Sequence, residues 1–399
     1  MRILFLTHRI PYPPNKGDKI RSYNILQYLT KYYEVYLGCL IDEKTDIQYV
    51  EQLESQVKEF VFDTIQPKIK KICCLPSFFK NGSISVCYFY SIKLQKTLDE
   101  LFKRIDFDVL FCFSSPMAEY YFRSTHKNQG AKPLIRIMDL IDVDSYKWAQ
   151  YAEKSLGFKR LIYRYEARCL SQYEQRIAET FDHLLLVSEQ EKNIFLRGLA
   201  AANLSVVTNG VDLDFFNPYH PQRHQTPKPT LVFTGVMDYW PNIEGVQWFV
   251  ERIFPRIRIA APDATFYIVG SRPTAEIRCL GQIEGVVVTG FVEDIRDYLA
   301  AADVCVVPLR IARGIQNKIL EAMAMGKPVV TTSQAFEGIK AVSGQEIISA
   351  DGEDMFAAAV IDLLQDRQKA ESMGAKARQC VETHYSWDRN LSVLDDIFK

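Results

Sequence analysis

Short apolar runs alternate with longer segments of helical periodicity along the chain, and this alternation limits the folds available to it. In the first half, the runs with strand character lie at 2–6, 34–40, 59–63, 108–112, 134–138, 183–187 and 204–207. A second series lies at 231–233, 265–269, 286–288, 304–307 and 328–331. Strands that alternate with helices predict parallel sheets with helices on both faces. We therefore expect an α/β fold.

A polar segment separates the two series. Residues 217–229 carry four prolines and little apolar content, which is typical of a linker or a surface crossing. A chain of 399 residues is also longer than one ordinary domain. We predict two doubly wound, Rossmann-like domains at 1–208 and 209–384, and a C-terminal helix within 385–399 that can pack on either domain. Ligands of open parallel sheets bind beyond the carboxyl ends of the strands, so chemistry is expected in a cleft between the domains.

Composition excludes several classes of protein. The net charge of −1 lacks the basic excess of a nucleic-acid binder. The nine cysteines show no paired metal-binding spacing, which favours reduced thiols in a cytoplasmic protein. The apolar run Ile3–Leu6 is too short for a signal peptide, and no stretch approaches the ~18 apolar residues of a membrane span. We expect a soluble or peripheral protein of the cytoplasm.

The strongest candidate for a ligand site is the segment 303–332, which has the pattern strand, loop, helix, strand. Gly314 lets the backbone come close to a ligand. A helix that begins near Ile315 offers free N–H groups and a dipole to an anion. Asn317 and Glu321 are four residues apart, so they share one face of this helix.

Charged side chains crowd the start of that helix. Arg310, Arg313 and Lys318 suit a pyrophosphate, and the Glu321 carboxylate suits the paired hydroxyls of a ribose. The alternative is an amphipathic helix whose charged face is only solvated. Because the charges lie at the carboxyl end of a strand, we favour a nucleotide site.

The segment Leu320-Glu-Ala-Met-Ala-Met-Gly-Lys-Pro-Val-Val330 resembles the donor-site signature of family 4 of the retaining glycosyltransferases, or glycosyl transferases group 1. Four further segments are similar to loops of that family: Asn209-Gly-Val-Asp212, Gly235-Val-Met-Asp-Tyr-Trp-Pro-Asn242, Tyr267-Ile-Val-Gly-Ser271 and Val288-Thr-Gly-Phe-Val292. The resemblance covers nearly the whole chain and implies the GT-B fold. It implies an enzyme that moves a sugar, with retention, from a nucleoside-diphosphate sugar to a glycan or polyprenyl-linked glycan, without cofactor or metal.

The same resemblance assigns roles on the donor side. Glu321 matches the glutamate that binds the ribose hydroxyls. Ile319 and Leu320 match positions beside the diphosphate and ribose. The remaining donor-binding positions that we predict are Gly17, Gly235, Gly290, Phe291, Val292, Arg313, Gly314, Asn317 and Lys318, of which 290–292 bracket the nucleobase.

Two departures from the family pattern concern charge. Arg313 stands where the family usually has a second glutamate that touches the donor sugar, so the sugar cannot be carried over. The loop Met237–Asn242 lacks the arginine and lysine that often grip the diphosphate there. We infer that Arg313 and Lys318 supply this positive charge instead.

The acceptor side is expected at the loop after the first strand. Gly17 loosely matches a glycine-bearing loop of the family that closes near the donor phosphate and the acceptor. Asp18 either caps the following helix or contacts the acceptor. Arg21, one turn along, faces either the cleft or the surface.

A second acidic loop follows the fifth strand. Asp139 stands where many family members have a histidine or aspartate near the reacting sugar, and we name Asp139 and Asp142 as candidate catalytic residues. Together with Asp144 they also suggest a metal site or simple helix caps. The resemblance implies metal-independent catalysis, in which the departing phosphate oxygen takes the acceptor proton, so we favour a substrate contact.

Two patterns narrow the biological role. Pro11–Arg21 and Ala312–Lys318 resemble sugar transferases associated with bacterial exopolysaccharide and PEP-CTERM sorting systems, which implies a role in exopolysaccharide or cell-envelope synthesis. The basic and aromatic stretches 68–80 and 158–165 predict either peripheral contact with the inner face of the plasma membrane or solvated surface. The alternatives to a transferase are a GT-B sugar-nucleotide epimerase, a phosphate-acceptor synthase and a non-catalytic nucleotide-sugar binder.

Overall fold

The computed structural model describes residues 1–74, 82–125, 133–198, 203–221, 226, 229–312 and 314–398. It divides into two compact units. The first unit contains Met1–Val207 together with Leu391–Lys399, and the second contains Thr208–Asn390. The chain passes from the first unit to the second between Val207 and Thr208, one residue before the predicted boundary between residues 208 and 209.

The first unit is a seven-stranded sheet covered by helices. Its strands are β1 Arg2–Thr7, β2 Glu34–Ile41, β3 Glu59–Thr64, β4 Val109–Phe113, β5 Ile135–Ile141, β6 His183–Leu186 and β7 Leu204–Val206. Its helices up to β7 are α1 Gly17–Tyr32, α2 Val50–Glu54, α3 Pro67–Cys73, α4 Ile84–Tyr88, α5 Ile92–Arg104, α6 Ala118–Arg123, α7 Asp144–Glu153, α8 Gly157–Thr180 and α9 Glu189–Gly198. Short 3₁₀ turns lie at Lys44–Tyr49 and Ser115–Met117.

All strands of this sheet are parallel, in the order β3-β2-β1-β4-β5-β6-β7. Strands β1 and β4 are adjacent at its centre and are almost entirely buried, with the rings of Phe5 and Phe111 in edge contact at 5.3 Å. A parallel strand covered on both faces needs apolar side chains in both directions, which explains why these strands read as continuous apolar runs.

The second unit repeats the architecture with a six-stranded sheet. Its strands are β8 Thr230–Thr234, β9 Thr265–Val269, β10 Val286–Gly290, β11 Val304–Val307, β12 Val329–Thr331 and β13 Ile348–Ser349. Its helices are α10 Trp240–Trp248, α11 Phe254–Ala260, α12 Ala275–Leu280, α13 Arg296–Ala301, α14 Asn317–Ala324, α15 Ser333–Phe336, α16 Glu353–Gln365, α17 Arg367–His384 and α18 Trp387–Leu391. The strand order is β10-β9-β8-β11-β12-β13, again all parallel. The predicted α/β class with two parallel sheets is therefore confirmed.

The sequence pattern missed two details of the second unit. A π-helical turn at Phe249–Ile253 separates α10 from α11, and the apolar periodicity of the segment does not mark this break. Pro255 lies in the first turn of α11, where its missing N–H costs least. Strand β13 has only two residues, too few for an alternating or continuous apolar pattern.

The end of the chain belongs to the first unit. Helix α19, Val393–Ile397, buries Leu394, and its Asp395 carboxylate accepts a hydrogen bond of 2.8 Å from the hydroxyl of Tyr28. The rings of Phe398 and Tyr33 meet edge-on at 5.2 Å. Across the described part of the chain, we find no helix with both the length and the apolar character needed to cross a bilayer.

Candidate functional site

Three loops at the carboxyl edge of the second sheet are joined by their backbones. The N–H of Gly235, after β8, donates to the carbonyl of Val269 at 3.0 Å, and that of Gly270 donates to Gly290 at 3.2 Å. A Cβ on Gly270 would lie 1.7 Å from the Gly235 carbonyl oxygen, at a φ of +150°. Only glycine allows this close approach, so the loops after β8, β9 and β10 form one tightly packed rim.

Helix α14 opens beside this rim. Gly314 has a φ of +60°, and Gln316 precedes the helix in an extended conformation, so the helix begins at Asn317 rather than near Ile315 as predicted. The Gln316 side chain donates to the Gly314 carbonyl at 3.1 Å and does not cap the first turn. The first turn of an α-helix has N–H groups without intrahelical acceptors, and these favour an anion.

Lys318 projects from α14 towards the loop that follows β8. Its Nζ donates to Asn242 Oδ1 at 2.6 Å and lies 4.4 Å from the centre of the Phe233 ring. A Cβ on Gly235 would lie 3.2 Å from the same Nζ. The loop Met237–Asn242 contains no arginine or lysine, and Lys318 of α14 therefore supplies a cation beside it.

Lys318 and Glu321 are half-buried and have displaced pKa values. Desolvation lowers the pKa of Lys318 to about 7, and the charge of Glu321 opposes that shift. Desolvation also raises the pKa of Glu321 to about 7, and Lys318 opposes it. Both pKa values thus lie near 7, and a ligand that favours the charged form of either group would move its pKa back towards the ordinary value.

The other predicted donor residues differ in accessibility. Phe291 is 78% exposed, whereas Val292 packs against the core of the second unit and Gly290 has a φ of +70°. Ile319 and Leu320 are both 0% exposed, so only their backbone could meet a donor. The predicted residue Arg313 lies outside the described residues.

Arg310 is engaged away from Lys318. Its guanidinium pairs with the Glu244 carboxylate of α10 and lies 5.0 Å from the centre of the Trp248 ring. These partners explain the position of Arg310 without a bound anion, so Arg310 is not assigned to the pyrophosphate site predicted for it together with Lys318.

Three contributors to the site were not singled out from the sequence. Asn242 is 4% exposed and links the β8 loop to Lys318, while its Nδ2 donates to the Val236 carbonyl at 2.8 Å. Phe233 places its ring beside Nζ. Asn209 donates to Asn317 Oδ1 at 3.4 Å. No local periodicity marks these residues, because each acts through a partner distant in sequence.

In the first unit, Arg21 and Asp139 form a buried ion pair. Arg21 Nε lies 2.7 Å from Asp139 Oδ2, and the side chains are 1% and 0% exposed. Arg21 also donates to the Val207 carbonyl at 2.7 Å, and the other Asp139 oxygen accepts from the Ile141 N–H at 3.1 Å. The surface position considered for Arg21 is therefore wrong. The catalytic role of Asp139 and the acceptor contact of Arg21 stay predictions.

Asp18 does not cap α1, since Lys16 occupies the cap position. Its carboxylate lies 2.7 Å from Arg9 and 3.2 Å from His8 Nε2. Burial opposes ionisation of Asp18, but hydrogen bonds and charges from His8 and Arg9 outweigh it and hold its pKa well below the usual range. Gly17 is exposed, and a Cβ added there would meet nothing within 4 Å.

The three carboxylates of the acidic loop have different surroundings. Asp139 faces Arg21. Asp144, at the start of α7, accepts a hydrogen bond of 2.9 Å from the Ser115 hydroxyl. Asp142 is half-buried, and its backbone N–H donates to Leu140. The fold thus gives different partners to carboxylates that are close together in the sequence.

One cluster of the described residues has metal-ligand geometry, and it lies elsewhere. His220 Nε2 is 2.9 Å from Asp297 and 3.9 Å from Asp294. Arg296 already pairs with Asp294 at 2.6 Å. These contacts connect the polar segment before β8 to α13, which is a sufficient structural role for the cluster.

Comparison with known proteins finds a family match within the second unit. Residues 228–366 match the family described as glycosyl transferases group 1. An uncharacterised 44.6 kDa protein in the cps region of Klebsiella pneumoniae is 20% identical across 100% of this chain and 99% of its own length.

Two mannosyltransferases are similar over part of the chain. A GDP-mannose-dependent monoacylated α-(1-6)-phosphatidylinositol monomannoside mannosyltransferase of Corynebacterium glutamicum is 31% identical over 45% of this chain and 52% of its own. A GDP-mannose-dependent α-(1-6)-phosphatidylinositol monomannoside mannosyltransferase of Mycobacterium tuberculosis is 29% identical over 56% of this chain and 63% of its own. The chain therefore matches only about half to three-fifths of the length of these relatives.

Solved structures share the whole architecture. Sucrose-phosphate synthase of Thermosynechococcus elongatus superimposes with a TM-score of 0.74 at 16% identity, covering 100% of this chain and 98% of the other. Anabaena HepE in complex with UDP and glucose gives a TM-score of 0.67 at 16% identity, covering 99% and 98%. At such identities the likeness shows the fold, and the fold is GT-B.

Proposed function

We propose that this glycosyltransferase, whose residues 228–366 match the group 1 glycosyl transferases and whose fold is GT-B, takes a nucleoside-diphosphate sugar as its donor. The acceptor in this proposal is a glycan or a polyprenyl-linked glycan. The relative from a cps region and the relatives that act on phosphatidylinositol mannosides support a polysaccharide or glycolipid pathway. We place the reaction in bacterial exopolysaccharide or cell-envelope synthesis, in the cytoplasm at the inner face of the plasma membrane.

The observation that carries the proposal is that a cation and a carboxylate lie in the first turns of α14 without an ion pair between them. Lys318 Nζ lies beside the Gly235 loop, where the diphosphate of a donor would also meet the first-turn N–H groups. Glu321, one turn further, is available for the hydroxyls of the ribose. A nucleotide diphosphate would thus restore the charged state of Lys318 that burial disfavours.

The proposed chemistry depends mainly on stabilising the leaving group. Lys318, Arg313 and the helix dipole offset the charge that develops on the departing diphosphate, and we propose that no divalent metal is needed. The sugar is transferred with retention, and the departing phosphate oxygen takes the acceptor proton on the same face. The protein contributes orientation and a fixed electrostatic environment rather than a side-chain nucleophile.

A thermal-shift screen of nucleotide sugars tests the donor assignment. A ligand that binds only the folded protein raises its apparent stability, so one compound of a panel that includes GDP-mannose and UDP-glucose should raise Tm. The matched variant Glu321→Gln should respond more weakly to the same compound. A uniform absence of response, with the protein folded, would rule out a nucleoside-diphosphate sugar as donor.

The compound that binds is then offered with candidate acceptors in the presence and absence of EDTA. We expect transfer in both conditions and an axial or equatorial anomeric linkage that matches the donor, read by NMR. Inversion of that configuration would contradict retention. Loss of transfer in EDTA that returns with Mg²⁺ would contradict a metal-independent reaction.

A further inference from the structure

The turn between α7 and α8 and the first turns of α8 form an exposed apolar surface, which we call the α7–α8 tip and define as residues 154–168. Leu156 is 85% exposed, Phe158 is 73% exposed and Leu161 is 60% exposed. A group of large apolar side chains exposed to water marks an interaction surface more often than ordinary protein surface.

These three side chains are not needed to hold the hairpin together. Trp148 and Tyr151 of α7 contact Tyr163 of α8, with ring centroids 5.2 Å and 6.3 Å apart. Further along α8, Leu170 and Ile177 are fully buried. The hairpin is therefore fixed by residues other than Leu156, Phe158 and Leu161, which remain available to a partner.

Cations surround the apolar side chains. Lys154, Lys159, Arg164 and Arg168 are exposed, and none has a carboxylate within 4.0 Å among the described residues. The acid of the tip is Glu166, which is 1% exposed and accepts hydrogen bonds from the Ser83 hydroxyl and two backbone N–H groups. The solvent face of the tip is thus apolar and positive.

We propose that the α7–α8 tip docks on an anionic phospholipid bilayer. Leu156, Phe158 and Leu161 enter the boundary between headgroups and acyl chains, and Lys159 and Arg164 meet lipid phosphates. Exposed apolar side chains at the end of a helical hairpin, beside exposed cations that pair with no carboxylate of the described residues, fit a negatively charged bilayer surface. The inference rests on the proposed place of the reaction at the inner face of the plasma membrane and is independent of the donor assignment. Docking would bring a lipid-linked acceptor to the first unit.

Vesicle flotation tests the proposal with the full chain and no nucleotide. Vesicles of phosphatidylcholine alone are compared with vesicles of equal parts phosphatidylcholine and phosphatidylglycerol. We expect flotation with the mixed vesicles, reduced by at least about tenfold in the variant Leu156→Ser/Phe158→Ser/Leu161→Ser. The control Ile259→Ser removes an isolated apolar side chain that is 84% exposed in the second unit, and it should float like the wild type.

Charge is tested separately. Lys159→Glu/Arg164→Glu should lose binding to the mixed vesicles, whereas Lys93→Glu/Lys96→Glu on the exposed face of α5 should keep it. The variants should retain the wild-type Tm, because they change exposed side chains.

Three outcomes would overturn the inference. They are no flotation of the wild type with mixed vesicles, equal flotation of the wild type and the triple serine variant, and light scattering that shows a dimer dissociated by those serines. The last outcome would assign the tip to a second copy of the chain. None of these results bears on donor binding, which the thermal-shift screen measures without lipid.

Discussion

Each unit has a cation and a carboxylate near each other among its candidate site residues, but the two pairs differ in how their charges are balanced. Arg21 and Asp139 meet directly at 2.7 Å, are almost fully buried and have further backbone partners. Lys318 has the neutral Asn242 as its partner, and among the described residues the Glu321 carboxylate has no hydrogen-bond donor. The pKa values of both groups in the second pair are displaced towards neutrality by desolvation.

This difference predicts a structural role for the first pair and a binding role for the second. A buried ion pair whose members satisfy each other leaves little for a ligand to gain. Charges that are desolvated but not matched gain when a ligand supplies the missing partner, which is why such groups concentrate at functional sites. We therefore expect mutation of the first pair to change stability and mutation of the second to change donor binding.

The largest expected effect comes from breaking the first pair. Asp139→Asn leaves the Arg21 charge buried without its counter-ion, and we expect a loss of about 3–5 kcal/mol in the free energy of unfolding. Urea denaturation of the full chain measures it. The control Arg104→Gln breaks the exposed pair with Glu59 at 2.7 Å and should cost less than about 1 kcal/mol.

The opposite result would assign Asp139 to catalysis. A variant Asp139→Asn with wild-type stability and strongly reduced turnover would mean that this carboxylate acts on substrate. The double variant Arg21→Met/Asp139→Leu sharpens the test, because it removes both charges and should recover much of the lost stability.

The next effect concerns the second pair. Lys318→Met removes the ammonium proposed to meet the diphosphate, and we expect the donor dissociation constant to rise about ten- to a hundredfold, the worth of a hydrogen bond to a charged group. Calorimetric titration with the donor from the thermal-shift screen measures it. Stability should be retained, since a desolvated charge is removed.

Lys327 provides the matched control for this prediction. Its Nζ lies at the other end of α14 and donates to the carbonyls of Ala300 and Ala302 at 2.7 Å and 3.1 Å. Lys327→Met should lower stability and leave donor affinity unchanged. Equal affinity losses in Lys318→Met and Lys327→Met would mean that the effect of Lys318 is not specific to the diphosphate.

Local sequence patterns were enough to predict the central strands and two charged residues of the candidate site. The central strands were located closely because a strand buried on both faces must be apolar throughout, as in Val109–Phe113. Glu321 and Lys318 were found because they lie within one contiguous segment whose strand, loop and helix can be read locally. Local patterns thus identified the sheets and two charged residues of the candidate site.

Long-range pairing was beyond those patterns. Arg21 and Asp139 are 118 positions apart, and Lys318 and Asn242 are 76 apart, so nothing in their own segments indicates their contact. The start of α14 was misplaced for a related reason. Gln316 is extended because the loop from Gly314 must first turn, and a periodic apolar pattern does not register that turn.

The smallest effect is the pH dependence that the second pair should give to stability. The pKa of Glu321 is raised from 4.5 to about 7 by desolvation, so between these values the folded state holds more protons and stability falls as pH rises. The pKa of Lys318 is lowered from 10.5 to about 7, so above 7 the unfolded state holds more protons and stability rises with pH. Together they predict a minimum of stability near neutral pH, with an acidic limb from Glu321 and an alkaline limb from Lys318.

Urea denaturation of the ligand-free chain across this pH range measures the effect. At each pH, the free energy of unfolding of the double variant Glu321→Gln/Lys318→Met is subtracted from that of the wild type. The single variant Glu321→Gln should remove the acidic limb and Lys318→Met the alkaline limb. The pair Arg21 and Asp139 is unchanged in these variants and cancels in the difference. A difference that is flat with pH would mean that Lys318 and Glu321 are matched within the protein, and the contrast with the first pair would then be lost.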